Sequence, residues 1–270
     1  MDLQLRGRRA LVTGASSGIG AGIARVLAAE GVAVAVHGRD APRTAGVVAS
    51  LRDAGVQAVA VLGDLTDAAT CERVAAEATA ALGAIDILVN NAGGKSAAGN
   101  PGWLEVGWDD WRATYEMNVG AAVRLIQHLV PGMRARGFGR IIQIASASGT
   151  QTEPTIGEYQ SAKAAMINLT TSLAKALAHT GITANTVSPG TILTPAVERW
   201  LGAVAAQHGW GSDRVEIERR FTREMIPLCA DALGRPEDIG RVVALLASPL
   251  SGYICGANLR VDGGQCRSVN

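Results

Sequence analysis

Charge is scarce in this sequence, and neither sign dominates. Only 18% of the 270 residues are charged, and 25 Lys and Arg nearly balance 24 Asp and Glu, which leaves a net charge of +1. A protein that holds a nucleic-acid backbone needs a basic surface. We therefore expect no nucleic-acid partner. The 48% hydrophobic content excludes a disordered chain.

Long apolar runs and paired cysteines are also missing. No apolar run reaches the roughly eighteen residues of a membrane span, and residues 1–6 lack the features of a secretory signal. We expect a soluble, cytoplasmic protein with no membrane partner. The cysteines show neither close pairing nor a histidine at metal-ligand spacing, so we expect reduced thiols and no metal site: Cys71, Cys229, Cys255 and Cys266.

Short β-branched runs alternate with longer Ala- and Leu-rich stretches of helical period. This alternation predicts an α/β, doubly wound fold, with a parallel seven-stranded sheet and helices on both faces. No linker interrupts it, so we expect one domain over residues 1–270. The predicted strands are 9–13, 33–37, 58–62, 85–90, 139–146, 183–188 and 258–261, and the predicted helices are 18–30, 41–54, 67–82, 108–136 (with a bend at Pro131), 157–179 and 236–247.

One stretch departs from this alternation. Residues 191–234 carry Trp200, Trp210 and Phe221 among polar helix formers. An insertion of this size on an α/β scaffold is typical of a helical lid over a substrate site. A packed helical pair at a subunit contact is the alternative.

A glycine-rich turn joins the first strand to the first helix. Gly14 is placed for a tight turn, Gly18 for backbone approach to a pyrophosphate, and Gly20 for close packing at the helix N-terminus. The spacing differs from the usual dinucleotide pattern read from Gly18, because Ile23 stands where that pattern has glycine. The turn predicts a nucleotide site.

The end of the second strand indicates which dinucleotide binds there. NAD-binding folds place an acid against the ribose 2′-hydroxyl, and Gly38 stands at that position. Arg39 offers a cationic fork for a 2′-phosphate, and Ser16 a further hydrogen bond, which favours NADP(H). A solvated loop arginine is the alternative for Arg39. Asp40 takes the ribose role if the strand ends two residues later.

Small and polar residues follow the third and fourth strands. Ligands bind at the carboxyl ends of strands in open α/β sheets. We therefore expect Asp64 and Leu65 near an adenine, and Asn91, Ala92 and Gly93 beside the cofactor.

Tyr159 and Lys163 stand four residues apart, on one face of the predicted helix 157–179. A nearby cation favours the phenolate, so Lys163 would make Tyr159 a better acid or base at neutral pH. Ser146 ends the fifth strand, where its hydroxyl can hold a carbonyl or simply form a turn. Asn118 is unusual inside a helix and indicates either an irregularity that holds a water or an interhelical hydrogen bond.

These motifs together resemble the classical short-chain dehydrogenase/reductase family, and the resemblance covers nearly all of the chain. Thirteen residues separate Ser146 from Tyr159, as is usual in that family. The motifs that carry the resemblance are the cofactor loop at 13–20, the NNAG motif at 90–93, a tetrad of Asn118, Ser146, Tyr159 and Lys163, and the segment 185–190 before the nicotinamide.

The resemblance implies a Rossmann domain and a role for each tetrad member. Tyr159 exchanges the proton, Ser146 orients the carbonyl, Lys163 binds the nicotinamide ribose, and Asn118 supports a water relay. NADP-dependent members often carry a basic residue where Ser17 stands here, so the NADP(H) prediction depends on Gly38 and Arg39. The remaining implied cofactor contacts are Ser17, Ile19, Pro189, Gly190, Thr191, Ile192 and Thr194.

The resulting interpretation is an NADPH-dependent carbonyl reductase, or an enzyme that catalyses the reverse oxidation of the alcohol by NADP⁺, and the resemblance implies a homotetramer. The first substrate classes are 3-oxoacyl thioesters and polyketide-like or cyclic ketones. One group of arginines indicates either a carrier-docking surface or a solvated helix face: Arg124, Arg134, Arg136, Arg219, Arg220 and Arg223. A non-catalytic dinucleotide sensor or scaffold is the alternative function, and it predicts loss of a tetrad member, whereas all four are present.

Overall fold

The computed structural model describes residues 2–96, 99, 102–226, 228–230 and 232–267. Seven parallel strands form one sheet in the order β3-β2-β1-β4-β5-β6-β7. The strands are β1 (Arg9–Val12), β2 (Ala33–Gly38), β3 (Ala58–Leu62), β4 (Ile87–Asn90), β5 (Gly139–Ile144), β6 (Ile182–Pro189) and β7 (Asn258–Val261).

Helices cover both faces of the sheet, so the doubly wound prediction is confirmed. The strand order reverses between β1 and β4, and in such sheets ligands bind beside this point. The helices are α1 (Gly18–Ala29), α2 (Ala41–Asp53), α3 (Ala68–Leu82), α4 (Trp108–Tyr115), α5 (Ala121–Arg136), α6 (Gly157–Ala176), α7 (Pro195–His208), α8 (Arg214–Arg220) and α9 (Pro236–Ala247).

Burial on two faces explains the continuous apolar strands. Ile87, Leu88 and Val89 of β4 are completely buried, as expected of a central parallel strand. Alternate residues enter different cores, because Ile87 and Val89 pack with α1 and α9, whereas Leu88 packs with α3 and α5. The sheet therefore holds its strand ends rigidly at one edge.

The predicted helix 108–136 is wrong as a single α-helix. A π-helical turn, Glu116–Gly120, separates α4 from α5, and α5 then continues through Pro131. The irregularity therefore lies at Asn118 and not at the proline. Single π turns inside helices are frequent at functional sites.

The segment 191–234 contains α7, α8 and a second π turn, Phe221–Met225. Its apolar side chains form a small core of their own, in which Trp210 and Phe221 are buried. Trp200 is half-exposed and packs edge-on against Phe221, with 5.1 Å between ring centroids. The aromatic residues of this segment thus stabilise the segment itself. Among the described helices, none has the length and apolar character needed to cross a bilayer.

Candidate active site

Two adjoining cavities of about 570 and 490 Å³ form a continuous cleft along the carboxyl edge of the sheet. Their shared wall includes Gly14, Ala92 and Gly93, at the switch point between β1 and β4. The cleft brings together most of the predicted site residues: Gly14, Ser16, Ser17, Gly18, Ile19, Gly20, Arg39, Asp64, Leu65, Asn91, Ala92, Gly93, Tyr159, Lys163 and Thr194.

The glycine turn leaves no room for side chains. Gly14 has a φ of +62°, and a Cβ there would lie 2.9 Å from the Ala92 Cα. A Cβ on Gly20 would lie 2.5 Å from the Gly14 carbonyl oxygen. The backbone at the α1 N-terminus therefore faces the cleft without side chains in between. Its N–H groups form the kind of anion site that binds a pyrophosphate, called the cradle below.

His37 holds this turn, a role that the sequence did not reveal. The Gly14 N–H donates to His37 Nδ1 at 3.2 Å, and His37 Nε2 lies 3.0 Å from the Gly63 carbonyl oxygen. Burial lowers the pKa of His37. The ring is therefore neutral at pH 7, and these contacts assign its proton to Nε2. A lone histidine at the end of an apolar strand was the available signal.

The end of β2 has no space for an acid. A Cβ on Gly38 would lie 2.3 Å from Thr44 Oγ1 and 2.8 Å from Ser16 Cβ. β2 ends at Gly38, so Asp40 is not the strand-end acid. Asp40 instead caps α2, where its carboxylate accepts from the Arg43 N–H at 3.0 Å.

Two arginines line the cleft beside Gly38. Arg39 is largely exposed, and its Nη1 lies 3.5 Å from Asp64 Oδ2. Arg43 lines both cavities and pairs with Asp40 at 3.4 Å. Arg43 was not predicted as a site residue, although its position four residues after Arg39, in the first turn of a capped helix, was a usable signal.

Asp64 and Asn91 are both held by local hydrogen bonds. The Asp64 carboxylate accepts from the Thr66 N–H at 3.0 Å and from its hydroxyl at 2.9 Å, and the pKa of Asp64 is lowered chiefly by the backbone bond. The Asn91 amide donates to the carbonyls of Thr13 and Gly14 at 2.8 and 3.2 Å. The Asn91 side chain therefore ties β4 to the glycine turn.

The segment after β6 is only partly in the cleft. Gly190 and Thr191 face the C-terminal segment, because the Gly190 N–H donates to the Val261 carbonyl at 3.0 Å and the Thr191 N–H to Gln265 Oε1 at 2.8 Å. The Ile192 side chain is buried in the core. Thr194 lines the cleft and caps α7. Pro189, Gly190, Thr191 and Ile192 do not line the cavities.

Tyr159, Lys163 and Ser146 meet at one end of the cleft. The Lys163 Nζ lies 5.6 Å from the centroid of the Tyr159 ring. Burial raises the pKa of Tyr159, and a hydrogen bond with Ser146 acts in the opposite direction. Tyr159 is therefore protonated at neutral pH and can donate a proton beside the Ser146 hydroxyl.

Asn118 links the π turn to the strand-end loop. Its amide donates to the carbonyls of Gly94 and Thr114 at 2.6 and 2.7 Å, and its oxygen accepts from the Gly94 N–H at 3.2 Å. The predicted irregularity at Asn118 is present as the π turn. The hydrogen bonds of its amide go to the loop at Gly94 and to Thr114 of the same helical run, and not to another helix as the alternative predicted. A Cβ on Gly93 would lie 2.4 Å from Asn118 Oδ1 and 3.2 Å from Lys163 Nζ.

Lys163 is buried without a carboxylate partner among the described residues. Only 3% of the residue is exposed, and its Nζ donates to the Ile144 carbonyl at 2.9 Å. Burial alone lowers the pKa of Lys163 to about 7. The amine is therefore poised between its charged and neutral forms at neutral pH. No group of three or more His, Cys, Asp or Glu among the described residues could hold a metal ion.

We predict that Lys163→Met raises Tm by roughly 5 °C at pH 6, because it removes a cation that burial penalises. Between pH 7 and 10.5 the folded protein binds fewer protons at this site than the unfolded chain. The free energy of unfolding of the wild-type protein then rises with pH across this interval. The advantage of the variant should therefore shrink from pH 7 to 10.5, as measured by calorimetry.

Lys175→Met is the matched control, because Lys175 lies on the same helix and is exposed. It should leave Tm nearly unchanged at every pH. A lower Tm for Lys163→Met, or equal shifts in both variants, would contradict an uncompensated buried amine.

The comparisons with known proteins agree with this geometry. A family model for the short chain dehydrogenases matches residues 8–203. The chain is 36% identical to the uncharacterized oxidoreductase YvaG of Bacillus subtilis over 100% of both chains. It is 33% identical to the 7alpha-hydroxysteroid dehydrogenase of Escherichia coli K12, over 100% of this chain and 98% of that one.

Among solved structures, L-sorbose reductase from Gluconobacter frateurii, complexed with NADPH and L-sorbose, matches with a TM-score of 0.92. The identity is 32%, and the match covers 100% of both chains. The 7 alpha-hydroxysteroid dehydrogenase complexed with NADH and 7-oxo glycochenodeoxycholic acid matches with a TM-score of 0.85 and 32% identity, covering 100% of this chain and 98% of that one. The chain belongs to the short-chain dehydrogenase family and is an oxidoreductase of hydroxyl and carbonyl groups.

Proposed function

We propose that the protein reduces a ketone to an alcohol with NADPH, or catalyses the reverse oxidation, with Tyr159 as the proton donor. The observation that carries this proposal is the meeting of Ser146, Tyr159 and Lys163 at the end of a glycine-lined cleft. The bare backbone at Gly14 and Gly20 and the two adjoining cavities fit an extended dinucleotide.

When bound, the nicotinamide supplies or accepts the hydride. Ser146 orients the substrate carbonyl, and Tyr159 transfers a proton to the developing alkoxide. The raised pKa of Tyr159 keeps the phenol protonated at neutral pH, which suits reduction. Lys163 binds the nicotinamide ribose, and Asn118 fixes the loop at Gly93 and Gly94 against the site and supports a water relay.

We predict that Tyr159→Phe retains NADPH binding but lowers kcat by at least about 100-fold, since general acid catalysis contributes roughly this much. Binding is measured by nicotinamide fluorescence and turnover by nicotinamide absorbance. The change removes one hydroxyl and keeps the ring packing, so Tm serves as the folding control. Near-normal turnover in a folded variant would eliminate Tyr159 as the proton donor.

We further propose a preference for NADP(H) over NAD(H). Gly38 leaves no space for a ribose-binding acid, and Arg39 and Arg43 place two guanidinium groups at the same end of the cleft. Each offers a planar fork for the 2′-phosphate. The solved relatives do not indicate which cofactor is preferred here, since one is complexed with NADPH and another with NADH.

We predict that Arg39→Ala raises Kd for NADPH by about tenfold and that for NADH by less than about twofold. The difference corresponds to one charge-assisted hydrogen bond to the 2′-phosphate. Isothermal titration with both cofactors measures it. Arg241→Ala, at an exposed arginine of α9, is the control and should change neither affinity. Equal weakening of both cofactors would refute the 2′-phosphate contact.

We propose that the segment 191–234 covers the substrate site as a lid, since Thr194, Pro195 and Arg199 line the cleft. An apolar groove on α4, with Trp108, Trp111 and Tyr115, supports a homotetramer. Cytoplasmic location stays a prediction of the sequence.

A carrier-docking surface has little support. Arg124 pairs with Glu116 and Arg219 with Glu216, while Arg134 donates to the Ala176 carbonyl at 3.2 Å. These guanidinium groups are engaged within the chain. Nothing in the site favours a non-catalytic sensor. Tyr159 and Lys163 line the cleft, Ser146 hydrogen-bonds Tyr159, and Asn118 bonds the adjoining loop at Gly94.

A further inference from the structure

A third, open cavity of about 1010 Å³ lies along the loop that follows Ser146. Its walls come from the loop after β5 (150–153), the end of the segment 191–234 (225–226) and the C-terminal segment (264–267). Cys266 Sγ lies 3.8 Å from the Ala147 carbonyl, next to Ser146, and Gln265 hydrogen-bonds Thr191, beside the end of β6. The cavity therefore lies on the substrate side of the site.

The cavity carries neutral groups that both donate and accept hydrogen bonds. Gln151 Oε1 accepts from the Arg267 N–H at 2.7 Å, and Gln265 Oε1 accepts from the N–H and hydroxyl of Thr191 at 2.8 and 3.1 Å. Each carbonyl oxygen is thus used to fix the wall. Among the described residues, neither side-chain NH₂ has an acceptor, so both remain available as donors.

Two opposite charges line the same cavity. Glu153 and Arg267 are both exposed, and neither side chain forms an ion pair with the part of the chain that the structure describes. Gln160, next to Tyr159, accepts from the Glu153 N–H at 3.1 Å and fixes this loop to the catalytic helix. A hydrocarbon bound here would desolvate both charged side chains without forming compensating hydrogen bonds, which is unfavourable.

The aromatic residues that would suit an aromatic or acyl substrate pack within the segment 191–234 and do not line this cavity. Trp210 and Phe221 are buried in the core of the segment 191–234, and Trp200 packs on Phe221. Met225 and Ile226 are the large apolar residues of the cavity wall. A chain of methylenes would thus meet one apolar wall and two polar ones.

We propose that the substrate is an uncharged, polyhydroxylated ketone, or the matching polyol in the reverse direction. This proposal rests on the function proposed above. A hydroxyl both donates and accepts, so it can satisfy Glu153, Gln151 and Gln265 together. A carboxylate-bearing substrate would meet Arg267 favourably but Glu153 unfavourably. Reduction adds a hydride from NADPH to the carbonyl carbon and the Tyr159 proton to its oxygen, leaving NADP⁺.

The first test compares matched open-chain ketones in NADPH oxidation. The wild-type enzyme should show kcat/KM at least about tenfold higher for 1,3,4-trihydroxybutan-2-one than for butan-2-one, because sites built to bind hydroxyls reject analogues that lack them. An acetoacetyl thioester and cyclohexanone represent the other substrate classes. Equal or faster reduction of any hydroxyl-free ketone would overturn this proposal while leaving the proposed activity intact. If the enzyme reduces none of these ketones, both this proposal and the proposed ketone-reducing activity are overturned.

The second test uses Glu153→Leu, with Glu72→Leu on the exposed face of α3 as its control. Glu153→Leu should lower the ratio of kcat/KM for the trihydroxyketone to that for butan-2-one by about fivefold, mainly through KM. Glu153→Gln, which keeps a hydrogen-bond acceptor, should recover part of this ratio. Glu72→Leu should not change it. An unchanged ratio in Glu153→Leu would contradict the hydroxyl-binding cavity.

Discussion

An amine buried without an acid is the constraint on which the site depends. The Lys163 amine donates a hydrogen bond to the carbonyl of Ile144, at the end of β5, and it lies next to Gly93. Any side chain at position 93 would strike Lys163 and Asn118. The π turn places the Asn118 amide against the Gly94 carbonyl, and this hydrogen bond fixes the loop after β4 beside Lys163. The burial that lowers the pKa of Lys163 therefore depends on packing between β5, the loop after β4 and the π turn.

The opposite end of the cleft depends on contacts between strand ends. The glycine turn after β1 is held by His37 from β2 and by Asn91 after β4. His37 in turn contacts the Gly63 carbonyl after β3. The cradle is therefore built by four neighbouring strands, and its geometry is as rigid as the sheet. Such rigidity suits electrostatic recognition, because the donors need not reorganise when an anion arrives.

The fold was predictable from sequence because its signals are local. Continuous apolar runs identify strands such as β4, and alternation with helices fixes a parallel sheet. The proposed tetrad was indicated by the spacing of Ser146, Tyr159 and Lys163 along the chain and by the family resemblance. The roles of His37 and of the Gln151 contact with the Arg267 backbone were missed, because both contacts join residues that are distant in sequence. Arg43 was missed although its signal was local. The π turn was foreseen only as an irregularity at Asn118, since its hydrogen bonds involve the distant Gly94.

The pKa of Lys163 itself tests the account most directly. The chain has three lysines, so labelling with ¹⁵N-lysine gives three Nζ resonances, and Lys163→Met identifies one of them. Titration of the cofactor-free protein should place the midpoint of that resonance at about 7. A midpoint close to the ordinary lysine value of about 10.4 would show that the amine is solvated or paired, and would contradict the buried, uncompensated site described here.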